Sequence, residues 1–215
     1  MLVKDRMTSE PIAITPVTTF PEAFRIMRER RIRHLPVVDD GGKLIGIVTQ
    51  TDLLHASPSA ATTLSVFEMS YLLANLHVQE VMSSPPITVS EDAPLEEAAR
   101  IMVEKKIGCL PVMRDGDLVG MITETDIFET FVEVLGGEDA TLRVTVRVLD
   151  VRGELARLAG VIAGQGGNIC SVARFRGEDP EHCYITFRLE GVDEEALVPA
   201  LEDTVEEVTY VCCTG

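Results

Sequence analysis

The segment Gly46-Ile-Val-Thr-Gln-Thr-Asp52 returns almost unchanged as Gly120-Met-Ile-Thr-Glu-Thr-Asp126. Each copy closes an apolar run that predicts a strand and then passes into a helical pattern. Thr and Asp stand three residues apart at this turn, which directs a hydroxyl and a carboxylate to the same side. A recurrence of this kind predicts a repeat architecture, so the alignment of the two copies decides the fold.

The repetition extends backwards from these two segments. Leu35-Pro36-Val37 corresponds to Leu110-Pro111-Val112, and the other matching pairs at the same offset of 75 are Met7 and Met82, Pro11 and Pro86, Glu22 and Glu97, and Met27 and Met102. One glycine, Gly41 or Gly42, is extra in the first copy, after which the offset is 74. Two related units, 1–56 and 77–135, are therefore predicted, with residues 57–76 between them.

Each unit is predicted to run strand, helix, strand, strand, helix. The opening strands are expected at 12–15 and 87–90, and Pro21 and Pro94 are expected in the first turn of the next helix. The linker is predicted to be a loop at 56–63, followed by a helix at 64–76. That helix is expected to pack on the pair, with an inward face of Leu64, Phe67, Tyr71 and Ala74; the alternative is a partner-binding helix.

Composition and charge limit the function classes. The net charge of −16 repels phosphate backbones, which argues against nucleic-acid binding. No apolar segment follows the N-terminal charges, and the stretch 158–173 contains four glycines, so neither a signal peptide nor a membrane span is predicted and a cytoplasmic location is expected. The five cysteines lack CxxC spacing, so no metal site is predicted.

Both repeated units resemble CBS domains, and two in tandem resemble a Bateman module. The residues that carry the resemblance are Asp5-Arg-Met7 and Glu80-Val-Met82, Arg33-His-Leu-Pro-Val37 and Gly108-Cys-Leu-Pro-Val112, and the two GxxTxxD endings. The resemblance implies α/β units that face each other across a pseudo-two-fold axis. It also implies two clefts for an adenine nucleotide (AMP, ADP or ATP) or another adenosyl ligand, such as NAD or S-adenosylmethionine.

The resemblance also implies roles for individual residues. Asp52 and Asp126 would accept hydrogen bonds from ribose hydroxyls, and Thr49 and Thr123 would reach the ribose or the first phosphate. Backbone around Ile12 and Ile87 would hold the adenine edge, with the two side chains against its face. The alternative is that Thr and Asp only cap the helix that begins there.

Arg33 and His34 close a basic run that starts at Arg25 in this acidic chain. One interpretation is a solvated helix face. The other applies to Arg33 and His34 themselves, which could meet ligand phosphates. Because the second unit has Gly108 and Cys109 at these positions, the cleft that receives Arg33 and His34 is expected to prefer the more phosphorylated ligand.

After Gly136-Gly137 the pattern changes. Leu142, Val144, Val146 and Val148 alternate as a strand, and the order βαββαβ is predicted for 141–215. The first helix is placed at 153–163 with Leu155, Leu158, Ala159 and Ile162 inward. An antiparallel sheet with both helices on one face follows from this order.

This remainder resembles an ACT domain, through Asp150-Val-Arg-Gly153 and Gly166-Gly-Asn-Ile169, although Arg152 stands where that family usually has proline. The resemblance implies an α+β, ferredoxin-like fold that pairs through its sheet. It also implies a site for an amino acid or similar effector, with Asp150, Gly153, Asn168 and Ile169 as its residues. The alternative is a dimerisation domain without an effector. The two resemblances together are similar to the acetoin-utilisation accessory family of bacteria.

The resulting hypothesis is a non-enzymatic, homodimeric regulator that binds an adenosyl ligand and acts on another protein. The chain has no GxxxxGK[ST], HExxH or GxSxG motif, so no catalytic residue and no catalytic cofactor are predicted. Two alternatives remain open: an interaction scaffold with degenerate sites, and an enzyme or accessory subunit that acts on the bound nucleotide.

Overall fold

The computed structural model describes residues 1–57, 65–135, 141–177 and 179–214. The chain forms two compact units, Met1–Ile127 and Phe128–Gly215. Most of the predicted loop at 56–63 and all of Gly136-Gly137 lie outside the described residues. None of the described helices combines the length and the apolar character that a membrane crossing requires.

After the opening segment, each repeat has the predicted order of helix, strand, strand and helix. The first contains β1 (Thr8–Ser9), α1 (Phe20–Arg30), β2 (His34–Val38), β3 (Leu44–Thr49) and α2 (Gln50–Ala56), and α3 (Val66–Asn75) follows it. The second contains β4 (Val89–Ser90), α4 (Leu95–Lys105), β5 (Cys109–Arg114), β6 (Asp117–Thr123) and α5 (Glu124–Val134). Strands β2 and β3 form a hairpin, and the order β1-β6-β5-β4 forms a second sheet.

Helical periodicity places one face of each long helix in a core. Helix α1 buries Phe20, Ala23 and Met27 in a cluster with β2 and β3, and α4 buries the equivalent Leu95, Ala98 and Met102 in a cluster with β5 and β6. The spacing of three and four residues keeps these side chains on one side of the helix.

The opening strands are shorter than predicted. In the first repeat only Ile14 bridges to β2, and in the second repeat β4 spans two residues. Pro16 ends the first segment because proline has no N–H for a strand ladder. The prediction for Pro94 was also wrong: it is the N-cap residue of α4, whereas Pro21 does lie within the first turn of α1.

The predicted inward face of the linker helix was wrong. Phe67 is 88% exposed and Tyr71 is 72% exposed, while Leu73 and Leu76 pack against the first core. Helix α3 also contacts α1, which belongs to the same core. The apolar residues of α3 are too many for one stripe, so periodicity alone could not decide which of them face inward.

The leading segment of each repeat packs on the other repeat. The N–H groups of Val3 and Lys4 donate to the carbonyls of Ala93 and Glu91, both at 2.9 Å, and β1 pairs with β6. Conversely, the Val78 N–H donates to the Thr18 carbonyl at 2.9 Å. Val3 is fully buried in the core of the second repeat, and Val78 is fully buried in that of the first. Neither repeat therefore has a complete core of its own.

This exchange explains the glycine that begins each GxxTxxD motif. A Cβ on Gly120 would lie 2.5 Å from the Met7 sulfur and 3.0 Å from the Thr8 carbonyl oxygen. A Cβ on Gly46 would lie 2.5 Å from the Met82 sulfur. A glycine in one repeat thus accepts the methionine of the other repeat's leading segment, and any side chain there would push that segment away.

The second unit contains β7 (Thr141–Leu149), α6 (Glu154–Gly164), β8 (Asn168–Arg176), β9 (His182–Glu190), α7 (Glu194–Glu202) and β10 (Glu207–Thr214). Its sheet is antiparallel, in the order β10-β7-β9-β8. The alternating residues of β7 and β9 bury one face against both helices, as the pattern predicted. Leu158 and Ile162 of α6 are buried, but Leu155, predicted to face inward, lies in the first turn of the helix and is 48% exposed.

A charged network crosses the other face of this sheet. The His182 ring contacts Asp179 Oδ2 through Nδ1 at 2.5 Å and Glu206 Oε2 through Nε2 at 2.7 Å. The Arg147 guanidinium lies 3.4 Å from Asp179 and 3.3 Å from Glu206. The hydrogen bond to Glu206 raises the pKa of His182, and Asp179 adds to this effect, while burial and Arg147 oppose it.

Replacing Gly120 by alanine is expected to lower the free energy of unfolding by about 1–3 kcal/mol, the usual effect of overpacking. Urea unfolding of the full chain measures the change. Gly160→Ala is the control: outside the backbone of its own helix, no atom of the described residues lies within 4 Å of a Cβ there, so this change should not lower the stability. An unchanged stability in Gly120→Ala would contradict the exchange of leading segments.

Replacing His182 by glutamine is expected to destabilise the chain mainly at low pH. Because the folded pKa is raised, protonated His182 stabilises the fold fully below about pH 6.5, the unfolded value, and this contribution disappears as the pH rises through the folded value. Urea unfolding at several pH values, followed by tyrosine fluorescence, measures the change. The control is His55→Gln, which changes an exposed histidine of the first unit. An equal loss of unfolding free energy for His182→Gln at every pH would refute the prediction.

Candidate functional site

Each GxxTxxD motif holds its Asp in place through a helix cap. In the first copy, Asp52 Oδ2 accepts hydrogen bonds from the Thr49 N–H and hydroxyl, both at 2.8 Å, and the Asp52 N–H donates to Thr49 Oγ1 at 3.2 Å. In the second copy, the Thr123 N–H and hydroxyl donate to Asp126 Oδ2 at 2.7 and 2.8 Å. The capping role is therefore present in both copies.

Capping does not use the whole carboxylate. The cap bonds go to Oδ2, and Oδ1 of Asp52 accepts no hydrogen bond from any residue that the structure describes. Asp52 and Asp126 are both half-buried in the first turns of α2 and α5, just after the ends of β3 and β6. A carboxylate that is already oriented loses little side-chain entropy when it accepts a ligand hydroxyl. The cap and a ligand contact are thus compatible.

The two isoleucines lie at the same end of their sheets as the Thr–Asp pairs. Ile14 pairs in parallel with Val37 of β2, which puts Ile12 level with the strand end that carries His34 and Thr49. Pairing of Val89 with Val112 places Ile87 near Thr123 in the same way. Ile12 and Ile87 are 38% and 40% exposed, so each offers an apolar surface beside a carboxylate.

A buried cluster of Ile47, Cys109 and Met121 joins the two repeats next to the motifs. Burial raises the pKa of the Cys109 thiol to about 12, and the carboxylates of Asp52 and Glu124 add to this rise. The thiol therefore stays protonated and is a poor nucleophile. The influence of Asp52 on Cys109 also shows that the motif of one repeat lies close to the other repeat.

His34 lies opposite Thr49 in the β2–β3 hairpin. Burial lowers its pKa, as does Arg33, while Glu124 and Asp52 act in the opposite direction. A lowered pKa makes His34 neutral at pH 7, so it can donate a hydrogen bond to a phosphate but brings no charge. Of the predicted phosphate pair, the exposed Arg33 alone carries a charge at this pH.

Glu124 is a residue that the sequence analysis missed. Its N–H donates to the Gly108 carbonyl at 3.0 Å, and a Cβ on Gly108 would lie 3.4 Å from its Cδ and Oε1 atoms. Its carboxylate thus occupies the space above Gly108. The signal that could have identified it is the difference between the copies, since Gln50 stands at the equivalent position of the first motif.

The predicted effector residues of the second unit do not meet within one chain. Asp150 follows the last residue of β7, next to His182, whereas Asn168 begins β8 and pairs with Glu190. These are opposite ends of the sheet, about 25 Å apart at 3.3 Å per residue along a strand. Asp150 contacts Arg174, Gly153 precedes α6 with a φ of 89°, and Ile169 packs on the core beside Asn168.

Known proteins resemble the first part of this chain. The profile of the CBS domain matches residues 3–59 and 78–133. A Vibrio cholerae protein provisionally named for acetoin utilization (AcuB) is 37% identical, with a TM-score of 0.53 over 63% of this chain and 93% of that one. The CBS domain pair of MJ0100, solved with 5′-methylthioadenosine and S-adenosyl-L-methionine, is 31% identical, with a TM-score of 0.52 over 65% of this chain and 98% of that one.

CBSX2, solved in complex with AMP, is 29% identical, with a TM-score of 0.51 over 62% of this chain and 97% of the other. Enzymes also contain similar pairs: inosine-5′-monophosphate dehydrogenase of Korarchaeum cryptofilum is 35% identical over 136 residues, but the match spans 25% of its length. The match thus covers 62% of this chain and a quarter of that enzyme. The residues that match the CBS profile, 3–59 and 78–133, make up more than half of the chain. The chain therefore belongs to the CBS domain family.

Proposed function

We propose that the chain is a regulatory protein without catalytic activity, whose CBS pair binds an adenosyl ligand such as AMP, ADP or ATP. The observation that carries the proposal is the fixed carboxylate beside an exposed isoleucine, present once in each repeat. Asp52 and Asp126 accept hydrogen bonds from the ribose hydroxyls, a geometry that suits two vicinal donors. The AMP, S-adenosyl-L-methionine and 5′-methylthioadenosine bound by related pairs support this ligand class.

The remaining residues have complementary roles in this proposal. Ile12 and Ile87 cover the adenine face, and Thr49 and Thr123 orient the carboxylates and reach the 5′ side of the ribose. The positively charged Arg33 contacts a phosphate, and the neutral His34 donates a hydrogen bond to it. In the other repeat Cys109 stands at the position of His34. The location is cytoplasmic, and the output is a change in a protein that this chain regulates, in keeping with the acetoin-utilisation resemblance.

For residues 141–215 we propose an ACT-type, ferredoxin-like domain that pairs two chains. The sheet order β10-β7-β9-β8 leaves β8 as an edge strand, and Val172 and Phe175 on it are 45% and 48% exposed. Antiparallel pairing of two β8 edges would bring Asn168 of one copy towards the Asp150 and Gly153 end of the other. An effector site made from both copies would then unite residues that lie apart in one chain.

Replacing Asp52 and Asp126 by alanine is expected to weaken AMP binding by tenfold or more in total, because a hydrogen bond to a charged group contributes about 1.5–3 kcal/mol. Isothermal titration of the single and double variants measures the loss. Glu68→Ala is the matched control, since Glu68 and Ser65 form the same kind of cap on α3. Unchanged affinity in the double variant would refute the ribose assignment, and conversion of AMP during the titration would favour the enzyme alternative.

Light scattering of the full chain is expected to give twice the chain mass of 23.5 kDa. Two-fold pairing is the commonest form of self-association, and an exposed edge strand with apolar side chains favours it. Phe175→Asp should shift the mass towards the monomer at micromolar concentration. A wild-type monomer at that concentration would contradict pairing through β8.

A further inference from the structure

The two candidate clefts differ in charge at equivalent positions. The first repeat has Arg33 before its strand β2 and Gln50 after Thr49, whereas the second has Gly108 and Glu124 at the corresponding places. His34 corresponds to Cys109, and the remaining differences within the two GxxTxxD motifs exchange one apolar residue for another. At these two positions the first repeat alone has a cation, and the second repeat alone has an additional anion.

The backbone puts each of these residues beside its own Thr–Asp pair. The Gln50 N–H donates to the Arg33 carbonyl at 2.8 Å, and the Glu124 N–H donates to the Gly108 carbonyl at 3.0 Å. Glu124 also stands between Thr123 and Asp126 in sequence, at the start of α5. Because Gly108 has no side chain, the Glu124 carboxylate lies over this strand end without a neighbouring cation from the same position.

The charge of Glu124 is not neutralised locally. Glu124 is exposed and forms no ion pair with any residue in the described ranges. Glu124 acts on the pKa of Cys109 in its own repeat and, across the seam between the repeats, on the pKa of His34. A ligand group next to Thr123 would therefore meet two carboxylates, Asp126 and Glu124.

We propose that Glu124 makes the Thr123–Asp126 cleft selective for adenosyl compounds without phosphate, neutral or cationic at the 5′ position, and leaves phosphorylated ligands to the Thr49–Asp52 cleft beside Arg33. The inference rests on the proposed adenosyl binding and adds a ligand class for each cleft. Like charges oppose each other by Coulomb repulsion, whereas a 5′-thioether is unaffected and a sulfonium is attracted. Asp126 can still accept the ribose hydroxyls of such a ligand.

Titration calorimetry of the full chain with AMP and with 5′-methylthioadenosine tests the assignment. Wild type is expected to bind one AMP per chain, lost in Asp52→Ala and kept in Asp126→Ala, and to bind the thioether in the other cleft, lost in Asp126→Ala. The near-isosteric change Glu124→Gln should tighten AMP binding at the second cleft about tenfold, the size expected for removal of one nearby charge.

Two further variants separate a local effect from a general one. Gln50→Glu should weaken AMP binding at the first cleft, because it places a carboxylate beside Asp52 as Glu124 does beside Asp126. Glu104→Gln removes the same charge from α4, where Glu104 pairs with Arg100, and should leave both ligands unaffected. Equal AMP binding in both wild-type clefts, with no response to Glu124→Gln, overturns the selectivity alone. If neither AMP nor 5′-methylthioadenosine binds, the adenosyl function is overturned as well.

Discussion

The exchange of leading segments between the two repeats is the constraint on which the first unit depends. Val3 completes the core of the second repeat and Val78 that of the first, each fully buried in the partner's cluster. Burial of such a side chain contributes about 1.5–3 kcal/mol, which a separate repeat would lose. The repeats therefore form a single folding unit, and their carboxylates are held at fixed positions on either side of one seam.

This constraint also determines the form of the GxxTxxD motif. The glycine accepts the methionine of the exchanged segment, the Thr ends the strand and caps the next helix, and the Asp completes the capping box. Structural and ligand-binding roles are thus combined in the same few residues. For Asp52 the cap uses one carboxylate oxygen, so stability and binding do not compete for the same atom.

The repeat, the order of its elements and the buried faces of α1 and α4 could be predicted from the sequence. They follow from periodicity and from the comparison of two internal copies. The face of α3 could not be predicted, since Phe67, Tyr71, Leu72 and Leu73 are all apolar and the packing partner decides between them. The exchange itself was also invisible, because Met7 and Met82 look alike whichever repeat they contact. Capping and ligand binding require the same Thr and Asp, so sequence could name the site but could not separate the two roles.

Part of the asymmetry of the site could be predicted from the sequence, because Arg33 and His34 stand where the second repeat has Gly108 and Cys109. The difference between Gln50 and Glu124 gains its meaning only from the structure, which places the Glu124 carboxylate over Gly108. The separation of Asp150 from Asn168 needed the strand register, because both flank glycines that look alike in a linear pattern.

A crystal structure of the full chain with AMP is the most direct test of the central claim. The predicted result is a ribose whose hydroxyls lie within hydrogen-bonding distance of the Asp52 carboxylate, with adenine against Ile12 and the cap to Thr49 intact. AMP bound elsewhere, with the Asp52 carboxylate contacting only Thr49, would contradict the account.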